Sequence, residues 1–166
     1  MRTGALYHSG HVGSPGYSYH ALSGDYYIDG PRIFTMPARD AMQFVVRSLV
    51  AYVTEPVPWR IESAALLAYL PEQMTWYGFL VLAVAGLKLG LKIDPMATMV
   101  LAAHAAAAAV IVAVSGGNIG TLIRHRGLVM PYLAWLVGLG LYQVVGAVTR
   151  PSAAAPVGGL HAHDHL

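Results

Sequence analysis

The sequence predicts an all-α integral membrane protein with three transmembrane helices and one further N-terminal helix, interfacial or tilted. Composition is the first reason: 56% of the 166 residues are hydrophobic and 11% charged, where about a quarter of a soluble domain is charged. The second is three apolar runs of the length that crosses a ~30 Å hydrocarbon layer. The third is the punctuation between them, rich in Gly, Pro and Asn. A net charge of +2 with scattered Lys and Arg gives no basic face for nucleic acid. The absence of cysteine excludes disulfides, thiol catalysis and cysteine metal sites.

Residues 1–32 read as a polar loop rich in Gly, Ser, Tyr and His, without the apolar core of a signal peptide. Tyr17, Tyr19, Tyr26 and Tyr27 among glycines suit a water-exposed aromatic segment near a membrane surface or a carbohydrate-contacting loop. The membrane domain is expected over residues 33–150. Its first helix, about 38–54, holds the apolar segment 41–53, which is too short to cross by itself and carries Arg47 in its middle. An unpaired charge at mid-bilayer costs ~2.5 kcal/mol or more, so the helix lies in the interface, or it ends a longer tilted span that begins near Ile33 and directs Arg39, Asp40 and Arg47 to protein or water. The segment Glu55-Pro56-Val57-Pro58-Trp59-Arg60 then forms a rigid non-helical corner, because each proline pushes its predecessor out of the helical region.

The first span is expected within a helix of about 64–91, with Lys88 reaching the headgroups. The second, about 95–115, follows the short Lys92-Ile93-Asp94-Pro95 connection, so the two should be antiparallel neighbours. The third, about 128–149, has Pro131 in its first turn, where a missing amide hydrogen costs least. Lys88, Lys92 and Arg150 balance Arg60, Arg124 and Arg126, so positive charge does not set the orientation. Gly86 and Gly90, and the run Ala102-Ala103-His104-Ala105-Ala106-Ala107-Ala108-Ala109, let neighbouring backbones approach closely. His104 near mid-membrane is expected to face the bundle, bonded to a neighbouring helix. Residues 151–166 form a flexible tail, in which His161, His163 and His165 beside Asp164 offer a weak metal site.

The stretch Ser-Gly-Gly-Asn-Ile-Gly-Thr-Leu-Ile-Arg-His-Arg-Gly over residues 115–127 reads as the loop between the second and third spans. Arg124 and Arg126 can hold this loop beside lipid phosphates as a topology signal. Alternatively Arg124, His125 and Arg126, with Asn118 and Thr121, form a phosphate or headgroup site, since arginine offers a planar fork of donors. The Gly-Lys-Ser/Thr ending of a nucleotide-binding loop is missing. No pair of carboxylates is forced together by spacing and no nucleophile sits beside a base; His104 and Glu72 remain as possible proton carriers, and no cofactor is expected.

The ordered set Gly16-Tyr17-Ser18-Tyr19, Glu55-Pro56-Val57-Pro58-Trp59, Pro71-Glu72 with Trp76-Tyr77, and Gly117-Asn118-Ile119-Gly120-Thr121 with Arg124-His125-Arg126 resembles the C-terminal portion of large bacterial polytopic proteins. Those are grouped with glycosyltransferase-like or polysaccharide-assembly membrane proteins, and the similarity covers about residues 13–145. The resemblance implies a setting, cell-envelope glycan assembly in the bacterial inner (cytoplasmic) membrane, rather than a reaction. The acidic residues on which polyprenyl-phosphate-sugar glycosyltransferases depend, on an early extracytoplasmic loop, have no counterpart here. In that setting a polyprenyl-phosphate-linked glycan is an expected partner; the apolar runs themselves call for a lipid bilayer, and three spans alone make so small a bundle that another membrane protein or a second copy is expected against it. The other expectation is a non-catalytic helical membrane subunit that packs against a larger partner.

Overall fold

The computed structural model describes residues 1–12, 17–60 and 67–149. The fold is all-α. Among the described residues the helices are α1 (Arg2–Val12), a single turn α2 (Asp25–Ile28), α3 (Ala38–Thr54), α4 (Leu70–Ile93), α5 (Pro95–Ser115), α6 (Ile119–Arg126) and α7 (Met130–Thr149), with 3-10 turns at Gly30–Thr35 and Pro58–Arg60. Among the described residues three helices are long and apolar enough to cross a membrane: α4, α5 and α7. The expected histidine tail and Arg150 lie outside the described residues.

The spans form where expected because each is a long apolar run with a defined start. Only Asp94 separates α4 from α5; its Oδ1 accepts the Ala97 amide at 3.0 Å while Pro95 opens the helix, so both demands of a helix N-terminus are met within three residues. The most extensive contact, however, is between α4 and α7 rather than between the sequence neighbours α4 and α5. Glycine makes it possible. A Cβ at Gly86 would lie 1.7 Å from the Leu136 carbonyl oxygen, and one at Gly140 would lie 2.0 Å from that of Leu82. The two backbones therefore touch at reciprocal glycines. Within hydrocarbon such close packing replaces the hydrophobic drive that lipid cannot supply. The alanine run divides: Ala105 is buried, whereas Ala103, Ala106 and Ala107 face outward.

Two expectations change here. Residues 2–12 are helical rather than loop, and α1 packs on α5, with Gly4 against Val114. Of the four tyrosines, Tyr19 and Tyr26 are buried, so the segment is not a uniformly exposed aromatic loop. The second change concerns the first span, which begins at Leu70, beside Pro71, rather than near residue 64; residues 68 and 69 form a turn, and 64–66 lie outside the described residues.

α3 packs on α5. Phe44 stacks edge-on to His8, which bonds the Gly116 carbonyl just past the end of α5, while the Thr54 carbonyl accepts Tyr77 Oη at 3.1 Å in the first half of α4. Antiparallel α4 and α5 put those two anchors toward the same end of the bundle. The corner begins where expected: α3 stops at Thr54, the Glu55–Pro56 peptide is cis, and the Pro58–Arg60 segment, expected to be non-helical, makes a single 3-10 turn.

Candidate functional site

The polar end of the bundle is built by side chains that terminate helices. A helix leaves its last carbonyls without backbone donors. At α3 the ordinary donor for the Tyr52 carbonyl would be the amide of residue 56, which is proline. Arg126 takes its place. Its Nη2 donates to the Tyr52 carbonyl at 2.7 Å and to the Glu55 carbonyl at 2.5 Å, and its Nη1 donates to Gln73 Oε1 at 2.6 Å. Gln73 Nε2 in turn donates to the Val53 and Thr54 carbonyls at 3.1 and 3.4 Å. The guanidinium is 2% exposed, packed on the faces of Trp76 (5.1 Å) and Tyr52 (5.8 Å), and makes no salt bridge among the described residues. Burial lowers its pKa, and burial pushes the Tyr52 phenol up to about 12 against the opposing Arg126 charge. Carbonyl dipoles at the negative end of α3, two aromatic faces and the charge of nearby Glu72 compensate this cation without a direct ion pair among the described residues.

The end of α5 is closed in the same way by the N-terminal segment. His11 Nδ1 bonds the Ser115 carbonyl at 3.0 Å; His8 Nδ1 and Tyr19 Oη both bond that of Gly116. A Cβ at Gly117 would lie 2.3 Å from the His8 carbonyl oxygen, so glycine is needed for α1 to approach. The Tyr17 carbonyl accepts the Ile119 amide at 2.8 Å and the Tyr19 amide donates to the Gly117 carbonyl at 3.2 Å, about an antiparallel bridge between Ser18 and Asn118. Burial raises the Tyr19 pKa, keeping the phenol protonated as a donor.

His8 has a definable tautomer. The Ala21 amide donates to its Nε2 at 3.3 Å, so that nitrogen is an acceptor and the proton sits on Nδ1, donated to Gly116. Burial lowers the His8 pKa below 6.5, with the nearby His20 and His11 charges acting in the same direction and the Gly116 bond opposing. A lowered folded pKa means the unfolded segment binds protons first on acidification. Docking of α1 is therefore fully supported above pH 6.5 and is lost as pH falls from there through the folded value. Corrected for the intrinsic slowing of amide exchange toward acid, the protection factors of residues 2–12 are expected to fall between pH 7.5 and 5.5, and His8→Asn to remove most of that pH dependence. Wild-type protection factors that stay constant over this range would contradict the assignment.

The phosphate set expected over residues 118–126 is not a loop but α6, and the structure distributes its members. Asn118 is the helix cap, its Oδ1 accepting the Gly120 and Thr121 amides at 2.9 and 3.4 Å. Arg126 is committed as described. Arg124 is exposed and lines a pocket of about 190 Å³ with Glu72, Thr75 and Trp76, which Arg126 also borders. His125, exposed, bonds the Thr121 carbonyl at 2.8 Å and lines with Thr121 a separate pocket of about 270 Å³ beside His11. Glu72 is exposed in the first turn of α4. His104 is exposed. Its Nδ1 bonds the Val100 carbonyl one turn earlier at 2.7 Å and its ring stacks on Tyr132 of α7 at 5.5 Å, so the neighbouring helix supplies a ring contact while the hydrogen bond comes from its own helix. His104 and Glu72 are not brought together: Glu72 opens α4 at one end of the bundle, while His104 lies mid-way along α5. His161, His163 and His165 fall outside the described residues. Among the described residues no group of three metal-ligating side chains occurs.

A cleft of about 900 Å³ lies elsewhere. One wall is the outer face of α3 (Val46, Arg47, Val50, Ala51, Thr54). The segment Tyr17-Ser18-Tyr19-His20 forms the facing wall, Glu55, Val57 and Trp59 the end, and Ile119 also contributes. Trp59 is 82% exposed and Tyr17 42%. The exposed Arg47 makes no hydrogen bond or ion pair among the described residues. Sequence reasoning picked out Tyr17, Arg47, Glu55 and Trp59 singly, as interfacial, burdensome or corner residues; the periodicity of α3 places Val46, Arg47 and Val50 on one face, but only the fold places the other two segments opposite. The cleft joins aromatic faces, a carboxylate, a free cation and an apolar strip. Such a surface can hold a molecule that is polar at one end and apolar at the other. No family model, curated protein or solved structure matches the chain.

Proposed function

We propose that this protein is a membrane component of cell-envelope glycan assembly in the bacterial inner membrane, and that it holds the saccharide end of a lipid-linked glycan in the cleft between α3 and residues 17–20. The observation that carries this reading is the pairing of exposed Trp59 and Tyr17 with Glu55, Arg47 and His20 at one end of a three-span bundle. Aromatic faces give area at low entropic cost, and the charged groups orient hydroxyl-rich ligands. The role is binding and positioning.

The test compares a polyprenyl-phosphate-linked disaccharide with the same lipid phosphate lacking sugar, using protein in nanodiscs. The sugar-bearing lipid is expected to bind about tenfold more tightly, an advantage removed by Trp59→Ala with Tyr17→Ala, given ~0.5–1.5 kcal/mol for each aromatic contact. Equal affinity for the two lipids overturns the glycan reading.

A second reading, a non-catalytic helical subunit packed against a larger partner, is favoured by one observation: Arg126 and Asn118 are engaged inside the fold, as helix terminators. Stable co-purification with one membrane protein, together with no lipid-linked glycan binding, would support it.

A further inference from the structure

We propose that the cleft is loaded sideways from the bilayer, and that Arg47 is its anion subsite: the phosphate of a membrane lipid bonds the Arg47 guanidinium while the lipid's hydrocarbon chain lies along the apolar strip of α3. The inference rests on the cleft being the ligand site.

Three independent features meet at Arg47. The first is chemical. An exposed guanidinium without hydrogen bond or ion pair among the described residues keeps its planar fork of donors available, unlike Arg126, three of whose donors are already engaged. Next comes the helix face: Met42, Val46, Val50 and Val53 are all exposed, and their spacing of four, four and three residues forms one stripe beside Arg39 and Arg47. A helix with an apolar stripe flanked by arginine, anchored toward the polar end of a membrane bundle, matches the pattern of an interfacial helix. The third feature is continuity. Val46 and Val50, 53% and 56% exposed, belong both to that stripe and to the cleft wall, so the apolar surface runs without interruption from the outer face of α3 into the cleft. A soluble anion has no use for the stripe, and a neutral lipid none for Arg47. The combination fits an amphiphile with an anionic headgroup, drawn from the membrane itself.

The chain has three tryptophans: Trp59 in the cleft, Trp76 buried beside Arg126, and Trp135 partly exposed on α7. In a Trp135→Phe background reconstituted in nanodiscs, Trp59 fluorescence reports chain bromines that enter the cleft. Chain-brominated phosphatidate is expected to quench it saturably and about tenfold more tightly than chain-brominated phosphatidylcholine, and Arg47→Gln is expected to remove the difference, in line with ~1.5–3 kcal/mol for a hydrogen bond to a charged group. Arg124→Gln, which removes an exposed arginine outside the cleft, should leave the preference intact. Equal quenching by both lipids, a preference that survives Arg47→Gln, or displacement of the phosphatidate by millimolar inorganic phosphate would each overturn the proposal. A sugar-dependent advantage accompanied by phosphatidate binding that Arg47→Gln leaves unchanged would overturn this proposal and leave the glycan reading standing. Arg47-dependent phosphatidate binding with no sugar advantage would do the reverse.

Discussion

Arg126→Ala is expected to destabilise the protein by about 3 kcal/mol or more, read as a lowered midpoint when the detergent-solubilised protein is unfolded by heat or denaturing detergent. The substitution removes one side chain and strands three acceptors: Gln73 Oε1 and the Tyr52 and Glu55 carbonyls. Each buried acceptor left without a donor costs ~1–3 kcal/mol, and water admitted to the space offsets part of the sum. Because Pro56 has no amide hydrogen, the chain holds no backbone donor in reserve for Tyr52. Arg126→Lys should recover only part of the loss, since an ammonium cannot reproduce the planar fork that spans carbonyls from two sides. Arg124→Ala, at an exposed site two residues away, should change stability by no more than ~0.5 kcal/mol. Equal effects at the two arginines would refute the internal bracing role.

Gly86→Ala and Gly140→Ala should each separate α4 from α7, and both are expected to cost more than the ~1–3 kcal/mol typical of overpacking, because the new methyl meets backbone rather than a movable side chain. At Gly78 and Gly138 a Cβ meets nothing within 4 Å. Alanine there should be neutral or slightly stabilising through helix propensity, by at most ~1 kcal/mol. The same chemical change thus has opposite signs along the same two helices. Unfolding midpoints of the four variants measured side by side check it, and a uniform effect would show that close backbone approach is not what holds these spans together.

Both results bear on which features were legible without coordinates. The spans were legible because the bilayer imposes one rule, an uninterrupted apolar length, that needs no knowledge of neighbours. Asp94-Pro95 was legible as a connection for the same reason: capping is decided within three residues. The short helices were not. α1 carries Gly4, Ser9 and Gly10 and has no apolar stripe, and it is helical because Gly4 and His8 find α5. α6 contains Gly120 in its first turn and is set by the Asn118 cap together with burial of Leu122 and Ile123. Local propensity spoke for a loop in both, and tertiary contact overrode it.

The candidate site divides along the same line. Arg124, His125 and Arg126 are adjacent in sequence, which made them look like one site. A helix turns adjacent residues about 100° apart, so Arg126 enters the core while Arg124 and His125 border two different pockets. The cleft is the converse case. Tyr17 and Arg47 are far apart in the chain, and they join Glu55 and Trp59 only because residues 17–20 line the same cleft as the outer face of α3.

What the sequence by itself determined was the solvent of each segment: which lengths go into hydrocarbon and where they must stop, since apolar run length and cap residues are local quantities. Only the tertiary structure decided which polar side chains are bracing and which are free. That choice depends on which helix ends lack donors and on which side chain from elsewhere in the chain is near enough to supply one. For Arg126 the answer lies in a carbonyl 74 residues away, and no local pattern in the sequence records it.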